Sequence, residues 1–335
     1  MRLPLLAALL TLAGCGDGRL EQLDLSGNAL GTTFNVSIVA PPDALDIDAL
    51  EGDIVATLTR IDLLASTWRG DSELSAFNEN TSVDWILVSP AFCAALESTR
   101  DISEATNGAF DVTVGPLVNL WGFGPGGDVA APPSDAEIDA ARRRVGYGQL
   151  DIDCDARLVR KDHRAIYVDL SGWAKGHAVD ALAALLDARG LGNYLVEIGG
   201  ELRVSGHNSE RRNWAIAIEA PSTSERVPHA IVRVTDTSVA TSGDYRNYFE
   251  HDGARYSHTI DPRTGRPVTH DLAAVTVVHP SAAFADAMAT AFLVLGPVNG
   301  PALATELDVA GYFLVRNGTN IEEIATLRFD TLDTQ

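Results

Sequence analysis

The first half of the chain shows two kinds of hydrophobic pattern. Apolar and polar residues alternate over 34–40, which predicts a strand, and Pro41-Pro42 ends it. Largely apolar positions then recur at helical spacing in two segments, at 47, 50, 54, 58 and 61 and at 92, 96, 99 and 102. Ser134 is the predicted N-cap of a further helix that contains Ile138. This half is therefore predicted to hold one early strand and several helices.

The second half is predicted to consist mainly of strands. Short apolar and alternating segments predict strands at 164–170, 194–198, 201–205, 214–219, 229–234, 273–278 and 312–315. Helical spacing predicts a helix around 179–186, ended by Gly190, and a later one around 284–295 with Ser281 as its N-cap. Runs of adjacent strands with separate helices predict an α+β fold, with mainly antiparallel sheets and flanking helices.

The N-terminus has the pattern of an export signal. A basic Met1-Arg2 start precedes an apolar run over 3–13, which at eleven residues is too short to cross a bilayer as a helix. Small residues stand directly before Cys15, as in a bacterial lipobox. We therefore predict a signal peptide over 1–14, the lipid-attachment Cys15 with a tether over 15–27, and a single domain over 28–330. An ordinary signal peptide with an incidental cysteine is the alternative.

These features predict a protein of the bacterial cell envelope, lipid-anchored and facing the periplasm. The formal net charge of −21 argues against a nucleic-acid surface, because phosphate backbones require clusters of Lys and Arg. An oxidising envelope permits a disulfide between Cys93 and Cys154, but their separation of 61 positions does not require one. Two unpaired, buried cysteines are the favoured interpretation.

The first candidate cluster is the loop over 108–124, which is rich in glycine and in large apolar residues. Phe110 is suited to wall a ring, and Asp111 is suited to accept hydrogen bonds from it. The alternative is an ordinary turn with core aromatics. The glycines over 122–127 match neither the dinucleotide-binding nor the Walker spacing, so that stretch is predicted to be a plain loop.

The second cluster covers 169–176, where a predicted strand leads into a helix. Backbone N–H groups at the start of a helix favour phosphate, and Lys175 adds positive charge there. Only Lys161 and Lys175 are lysines in this chain. A Lys where Arg is the usual cation suggests a specific need.

The third cluster is Asp286 with Thr290, which lie four residues apart on one predicted helix face. Carboxylate and hydroxyl oxygens are hard ligands that suit Mg²⁺ better than Zn²⁺. The surrounding face is apolar, so Asp286 needs a partner. The alternative is a polar pair that satisfies itself.

The fourth cluster lies in two turn-rich segments over 240–246 and 256–267. It contains Asp244 and His258, and His258 is suited to act as a general base or to hold a phosphate. The chain has no G-x-S-x-G motif and no Cys/His spacing typical of zinc sites. A serine hydrolase and a zinc enzyme are therefore disfavoured.

Taken together, these clusters resemble the FAD:protein FMN transferases of the ApbE family. The matching segments follow the family's order over about residues 27–320, and their order is more specific than any one of them. They are Leu30-Gly31-Thr32-Thr33-Phe34, Ser66-Thr67-Trp68, Asp71-Ser72-Glu73-Leu74-Ser75, 108–124, 169–176, 199–206, 238–245, 256–267, and Ala285-Asp286-Ala287 with Thr290.

The resemblance implies that FAD binds in a cleft between two subdomains. The positions that match FAD contacts of the family are Leu30, Trp68, Ala109, Phe110, Asp111, Asp169, Lys175 and Ile260. It also implies that the Gly172 carbonyl and the side chains of Asp286 and Thr290 bind Mg²⁺. His258 matches the histidine suspected of catalytic work, and Asp244 is a second candidate base. The departures, Leu30 for Met and Ser171-Gly172-Trp173 for Gly-Ala-Ile, remove no side chain that the metal needs.

The implied activity is the Mg²⁺-dependent transfer of FMN from FAD to a Thr or Ser hydroxyl of a target flavoprotein subunit, with release of AMP. A FAD pyrophosphatase, which would use water as the nucleophile, is an alternative that the same residues serve. A non-enzymatic FAD-binding lipoprotein is a second alternative, against which the intact pair of Asp286 and Thr290 speaks.

Overall fold

The computed structural model describes residues 9–10, 18–127, 129, 131–222, 227–245 and 247–334. Cys15 and most of the predicted signal peptide lie outside the described residues. The helices are α1 (Ile47–Ala65), α2 (Glu73–Glu79), α3 (Pro90–Ala105), α4 (Gly115–Leu120), α5 (Asp135–Arg142), α6 (Ser171–Ala188), α7 (Ala282–Glu306) and α8 (Leu327–Asp330).

Nine of the described strands belong to one large sheet. The strands are β1 (Leu9–Leu10), β2 (Gln22–Ala29), β3 (Thr32–Val39), β4 (Ile86–Leu87), β5 (Leu150–Asp153), β6 (Leu158–Lys161), β7 (Tyr194–Ile198), β8 (Glu201–Ser205), β9 (Trp214–Glu219), β10 (Pro228–Val234), β11 (Thr237–Gly243), β12 (Tyr248–His251), β13 (Ala254–Ser257), β14 (Ile260–Asp261), β15 (Arg266–Pro267), β16 (Leu272–His279), β17 (Ala310–Asn317), β18 (Asn320–Ala325) and β19 (Asp333–Thr334). The large sheet has the order β1-β2-β3-β7-β8-β11-β16-β17-β18.

The predicted α+β fold is confirmed. The strand pairs in the described part of the chain are antiparallel, including those between strands distant in sequence, such as β3 with β7 and β8 with β11. Strand β16, which lies between β11 and β17 in the large sheet, is buried on both faces. Side chains such as Val275 and Val277 join the core shared with α7, while Ala274 and Val278 join the core shared with β9 and β10. The large sheet therefore lies between a helical layer and the three-stranded sheet β19-β10-β9.

The local helix signals predicted from the sequence are present. Helix α1 buries Leu50, Ile54, Leu58 and Ile61 on one face. Ser134 caps α5 in a capping box with Glu137, and Ser281 caps α7 through the Phe284 amide.

Helix α7 needs a separate explanation, since it is the one helix in the described part of the chain that is long and apolar enough to cross a bilayer. Over half of its most apolar window, 56%, is buried inside the protein, and its backbone breaks at Gly296, where φ is 78°. We therefore interpret α7 as the central core helix of the domain.

One strand prediction and the predicted end of the tether are wrong. Residues 164–170 do not form a strand, because the Asn78 side chain accepts from the Val168 amide at 2.7 Å and donates to its carbonyl at 2.8 Å. Conversely, the predicted tether over 15–27 is too long, since Gln22–Ala29 forms β2 and pairs with β3 along its whole length. Leu23 and Leu25 are buried there, so a tether can extend only to about residue 21.

The two remaining cysteines are also paired, contrary to the favoured interpretation. Cys93 on α3 and Cys154, directly after β5, form a disulfide with their α-carbons 5.6 Å apart. Helix α3 packs against β5, and this contact between distant segments brings the two thiols together. Sequence separation alone contains no information on such a contact.

Candidate active site

A cavity of about 580 Å³ opens between the first turns of α6, the first half of α7, the loop over 109–124 and the segments around β11 and β14. Its lining includes most of the residues that the sequence singled out: Trp68, Ala109, Phe110, Asp111, Asp169, Gly172, Lys175, His258, Ile260, Asp286 and Thr290. The fold thus brings together side chains from segments more than 200 positions apart in the chain. Its size is that of a pocket for a small molecule or cofactor.

The floor of the cavity carries a buried ionic cluster. The Lys175 ammonium lies 3.1 Å from Glu201 Oε1 and 3.6 Å from Asp286 Oδ2, and both carboxylate side chains are almost fully buried. Burial opposes the charge of Lys175, but the carboxylates of Asp286 and Glu201 outweigh it and raise the pKa of the ammonium. Burial raises the pKa of Glu201 to about 7, against the opposing effect of Lys175. The cluster therefore holds a permanent cation at the cavity wall.

Close contact between α6 and α7 places Asp286 in this cluster. A β-carbon at Gly176 would lie 2.3 Å from the Ala282 carbonyl oxygen, so glycine permits the two helices to approach. Asp180 on α6 accepts hydrogen bonds from the Ala282 and Ala283 amides, which fixes the start of α7. The Gly176 amide then donates to Asp286 Oδ2 at 3.0 Å.

Two further hard oxygen groups, the Gly172 carbonyl and the Thr290 hydroxyl, lie near this carboxylate. Gly172 stands four residues before Gly176, so its carbonyl is the one that a regular helix directs toward the Gly176 amide. A β-carbon at Gly172 would lie 3.5 Å from Thr290 Oγ1, and that hydroxyl lies 3.1 Å from Ser242 Oγ. The Gly172 backbone, Asp286 and Thr290 therefore share one corner of the cavity.

This donor set suits a magnesium ion. In the described part of the chain no group of three or more His, Cys, Asp and Glu side chains is arranged to hold a metal. A site at this corner therefore depends on one carboxylate with hydroxyl and carbonyl oxygens, which are ligands that Mg²⁺ accepts while keeping several waters. The residues present fit such an ion.

The loop over 109–124 forms another wall, and Asp111 holds it in shape. Its carboxylate accepts from the Thr113 amide at 2.8 Å, the Thr113 hydroxyl at 2.6 Å and the Tyr147 amide at 2.8 Å. Burial raises the pKa of Asp111, and these hydrogen bonds counteract the rise. Asp111 lines the cavity but uses its oxygens largely to order the loop that presents Phe110.

Two further predicted residues lie at the edges of the cavity. Asp169 accepts from the Ser171 amide at 2.8 Å and so shapes the start of α6. Trp68 lines the rim with 70% of its surface exposed, which is unusual for an indole ring. An exposed aromatic ring at a cavity mouth is suited to stack on a flat ligand.

His258 faces the cavity from the opposite side. Its Nδ1 lies 3.0 Å from the Asn247 carbonyl oxygen. Because a carbonyl only accepts, the Nδ1 atom carries the proton and Nε2 retains its lone pair. Burial lowers the pKa of His258, and the bond to Asn247 opposes the change. The imidazole is thereby kept neutral and basic at Nε2.

Comparison with known proteins gives this arrangement a family. The profile of the ApbE family matches residues 30–313. The chain belongs to the ApbE family. A FAD:protein FMN transferase of Vibrio cholerae is 43% identical over 97% of this chain and 96% of its own, and one of Escherichia coli is 38% identical over 96% and 94%.

Solved structures of the ApbE family agree with the fold. A flavin transferase ApbE from Vibrio cholerae superposes with a TM-score of 0.87 at 40% identity, over 94% of this chain and all of that one. The apo form of the Pseudomonas stutzeri flavinyl transferase ApbE superposes with a TM-score of 0.84 at 38% identity, over 99% and 98%. The predicted resemblance to the ApbE family is confirmed.

Two residues that the resemblance indicated do not line the cavity. Leu30 occupies the tight turn between β2 and β3 with φ of 51° and packs against the core of α1 and α6. Asp244 forms a two-pronged ion pair with Arg316, at 2.5 and 2.8 Å. Because the guanidinium occupies both carboxylate oxygens, this geometry favours a structural role for Asp244 over the predicted role of a base.

Sequence reasoning about this ApbE family member overlooked Glu201 and Ser242 as individual site residues. Both lay within segments quoted for the resemblance, but no spacing rule singled them out. Glu201 begins β8 directly after the turn of Gly199 and Gly200. A carboxylate placed at the start of a predicted strand after two glycines was the available signal.

Proposed function

We propose that this protein transfers FMN from FAD to a Thr or Ser hydroxyl of an envelope flavoprotein subunit, using Mg²⁺ and releasing AMP. FAD:protein FMN transfer is the activity for which its full-length relatives are named, at 38–43% identity. We add to that activity three proposals: that the metal is Mg²⁺, that the acceptor is a Thr or Ser hydroxyl, and that the protein lies in the cell envelope.

The proposal depends on one observation: the ionic cluster adjoins the corner of the cavity that the Gly172 backbone, Asp286 and Thr290 share, which we call the metal corner. Lys175 presents a permanent cation beside the Gly172 backbone, Asp286 and Thr290. A pyrophosphate is a dense anion whose cleavage requires charge neutralisation on its oxygens. Gly172, Asp286 and Thr290 would hold Mg²⁺, which supplies Lewis-acid polarisation of phosphoryl oxygens.

The other residues that line the cavity have separate roles in the proposed reaction. Lys175 binds pyrophosphate oxygens, while Phe110 and Trp68 offer surfaces to the rings of FAD. The acceptor oxygen forms a bond to the FMN phosphorus as the bond to the AMP oxygen breaks, and Nε2 of His258 takes the hydroxyl proton.

Two features support an envelope location. The N-terminal pattern favours a signal peptide with lipid attachment at Cys15, and the tether would end before β2. The disulfide between Cys93 and Cys154 is typical of proteins that fold in an oxidising compartment.

The decisive experiment incubates the purified protein with FAD, Mg²⁺ and a synthetic peptide that holds one Thr preceded by Asp and small residues. AMP is measured by chromatography, and peptide-bound flavin by fluorescence after denaturation. We expect Asp286→Ala to lower AMP release by about a thousandfold while the protein still folds, because the carboxylate of the metal corner is lost.

Asp101→Ala is the matched control, since Asp101 lies on the exposed surface of α3 and should leave the rate unchanged. Full activity of Asp286→Ala would contradict the metal assignment. The pyrophosphatase would be favoured if AMP were released at the same rate with and without the peptide and no flavin became bound to the peptide.

A further inference from the structure

The ionic cluster contains one more carboxylate than its lysine can neutralise. In the described part of the chain, Lys175 is the one cation that pairs with the two buried carboxylates, Glu201 and Asp286, whose side chains are 6% and 4% exposed. The ammonium lies closer to Glu201, at 3.1 Å, than to Asp286, at 3.6 Å. The cluster is therefore asymmetric, and the carboxylate with the weaker hold on Lys175 is the one at the metal corner.

The backbone around Glu201 fixes this asymmetry. Gly199 has φ of 64°, and a β-carbon there would lie 3.2 Å from Lys175 Cδ and 2.9 Å from Thr32 Cγ2. The stem of Lys175 thus packs against the turn that leads into Glu201, and glycine is required for that approach. Glu201 Oε2 is buried with no hydrogen-bond partner in the described part of the chain, so Glu201 Oε1 alone engages the ammonium.

An ammonium and a metal ion compete for the same carboxylate. If Lys175 paired fully with Asp286, it would neutralise the charge that a divalent cation requires. The second carboxylate offers the ammonium a closer partner and removes this competition.

We propose that Glu201 is a positioning residue that draws the Lys175 ammonium away from Asp286 and so keeps Asp286 available to the metal. This inference rests on the proposed function, because it assumes that Asp286 binds a divalent cation. It assigns to Glu201 a role that acts through Lys175, without contact between Glu201 and the metal.

A simpler effect must be separated from this one. Glu201 also adds negative charge near the metal corner, and charge by itself would strengthen cation binding. A double-mutant cycle separates the two effects, because positioning depends on the presence of Lys175 whereas direct charge does not.

The experiment measures binding of Mn²⁺, a paramagnetic ion with similar oxygen ligands, to the whole protein without FAD. Free Mn²⁺ is followed by electron paramagnetic resonance for the wild type, Glu201→Gln, Lys175→Met and the double variant. We expect Glu201→Gln to raise Kd about tenfold when Lys175 is present and less than about twofold in the Lys175→Met background. Equal weakening in both backgrounds, or none in either, would overturn the proposal.

Lys175→Met leaves two buried carboxylates without a cation, so its folding is checked by circular dichroism. Should it fail to fold, Glu201→Asp decides, because it keeps the charge but shortens the reach to Lys175. Positioning predicts that Glu201→Asp weakens Mn²⁺ binding about as much as Glu201→Gln, whereas wild-type affinity would overturn the proposal.

The control is Glu322→Gln, which removes the same charge from an exposed position on β18 that does not line the cavity. It should bind Mn²⁺ as the wild type does. Failure of the proposed metal site is recognised separately, since then the wild type and Asp286→Ala would bind Mn²⁺ equally poorly, whatever the cycle shows.

Discussion

Lys161 and Lys175 are the only lysines of the chain. The Lys161 side chain is fully buried, whereas 29% of the Lys175 side chain is exposed, and their ammonium groups face different partners. Lys161 ends β6 and donates to the carbonyls of Phe77 and Asn80, at 2.6 and 2.8 Å, where α2 ends. It also lies 4.4 Å from the centre of the Phe77 ring. Lys175 has carboxylates as partners and borders the cavity.

The two environments shift the two pKa values in opposite directions. Burial lowers the pKa of Lys161 to about 8, since carbonyl groups carry no full charge to compensate the loss of water. Burial acts in the same direction on Lys175, but the carboxylates of Asp286 and Glu201 reverse the outcome. Burial of a lysine therefore does not mark a functional site. The counter-charges and the adjoining cavity do.

The largest expected difference between the two lysines is in activity. Lys175→Met should lower the second-order rate of AMP release from FAD by about a thousandfold, because it removes the cation that faces the pyrophosphate. Lys161→Met should retain wild-type activity per folded molecule, since Lys161 lies away from the cavity lining. Equal losses in both variants would show that the comparison reflects folding alone.

A smaller and reversed difference is expected in stability. Lys161→Met leaves two carbonyls at the end of α2 without their donor, and we expect the free energy of unfolding to fall by about 2 kcal/mol. Because the folded pKa of Lys161 is about 8, below the ordinary value of about 10.4, the wild type should gain stability over Lys161→Met as pH rises between those values. Thermal melts from pH 7 to pH 10 test this, and a difference that shrinks with rising pH would contradict it.

The smallest expected effect concerns His258, whose pKa is lowered mainly by burial and to a lesser degree by the charge of Lys175. Nuclear magnetic resonance titration should place its pKa below the ordinary value of about 6.5. Lys175→Met should raise that pKa by less than about one unit, and Lys161→Met should leave it unchanged. A pKa above the ordinary value would argue against a neutral His258 acting as a base near pH 7.

Local patterns in the sequence were sufficient for a large part of this fold. Ser134 and Ser281 cap the helices predicted for them, and the strands predicted at 194–198 and 201–205 are present. The pairing of Asp286 with Thr290 on one helix face also followed from spacing alone. These features depend on residues within a few positions of one another, where periodicity and capping chemistry act.

Only the tertiary structure decided which distant groups meet. Arg316 pairs with Asp244, which lies 72 positions away in the sequence, and Cys93 forms a disulfide with Cys154, which lies 61 positions away. The Asn78 side chain bonds the backbone of Val168, 90 positions away, where a strand was predicted. The same applies to Glu201, whose place beside Lys175 depends on how the turn after β7 packs on the first turns of α6. The sequence by itself determined most of the elements, the family and most of the predicted residues that line the cavity, because those depend on local patterns and motif order. The partner of each buried charge depends on the packing of whole elements, for which a local pattern has no signal.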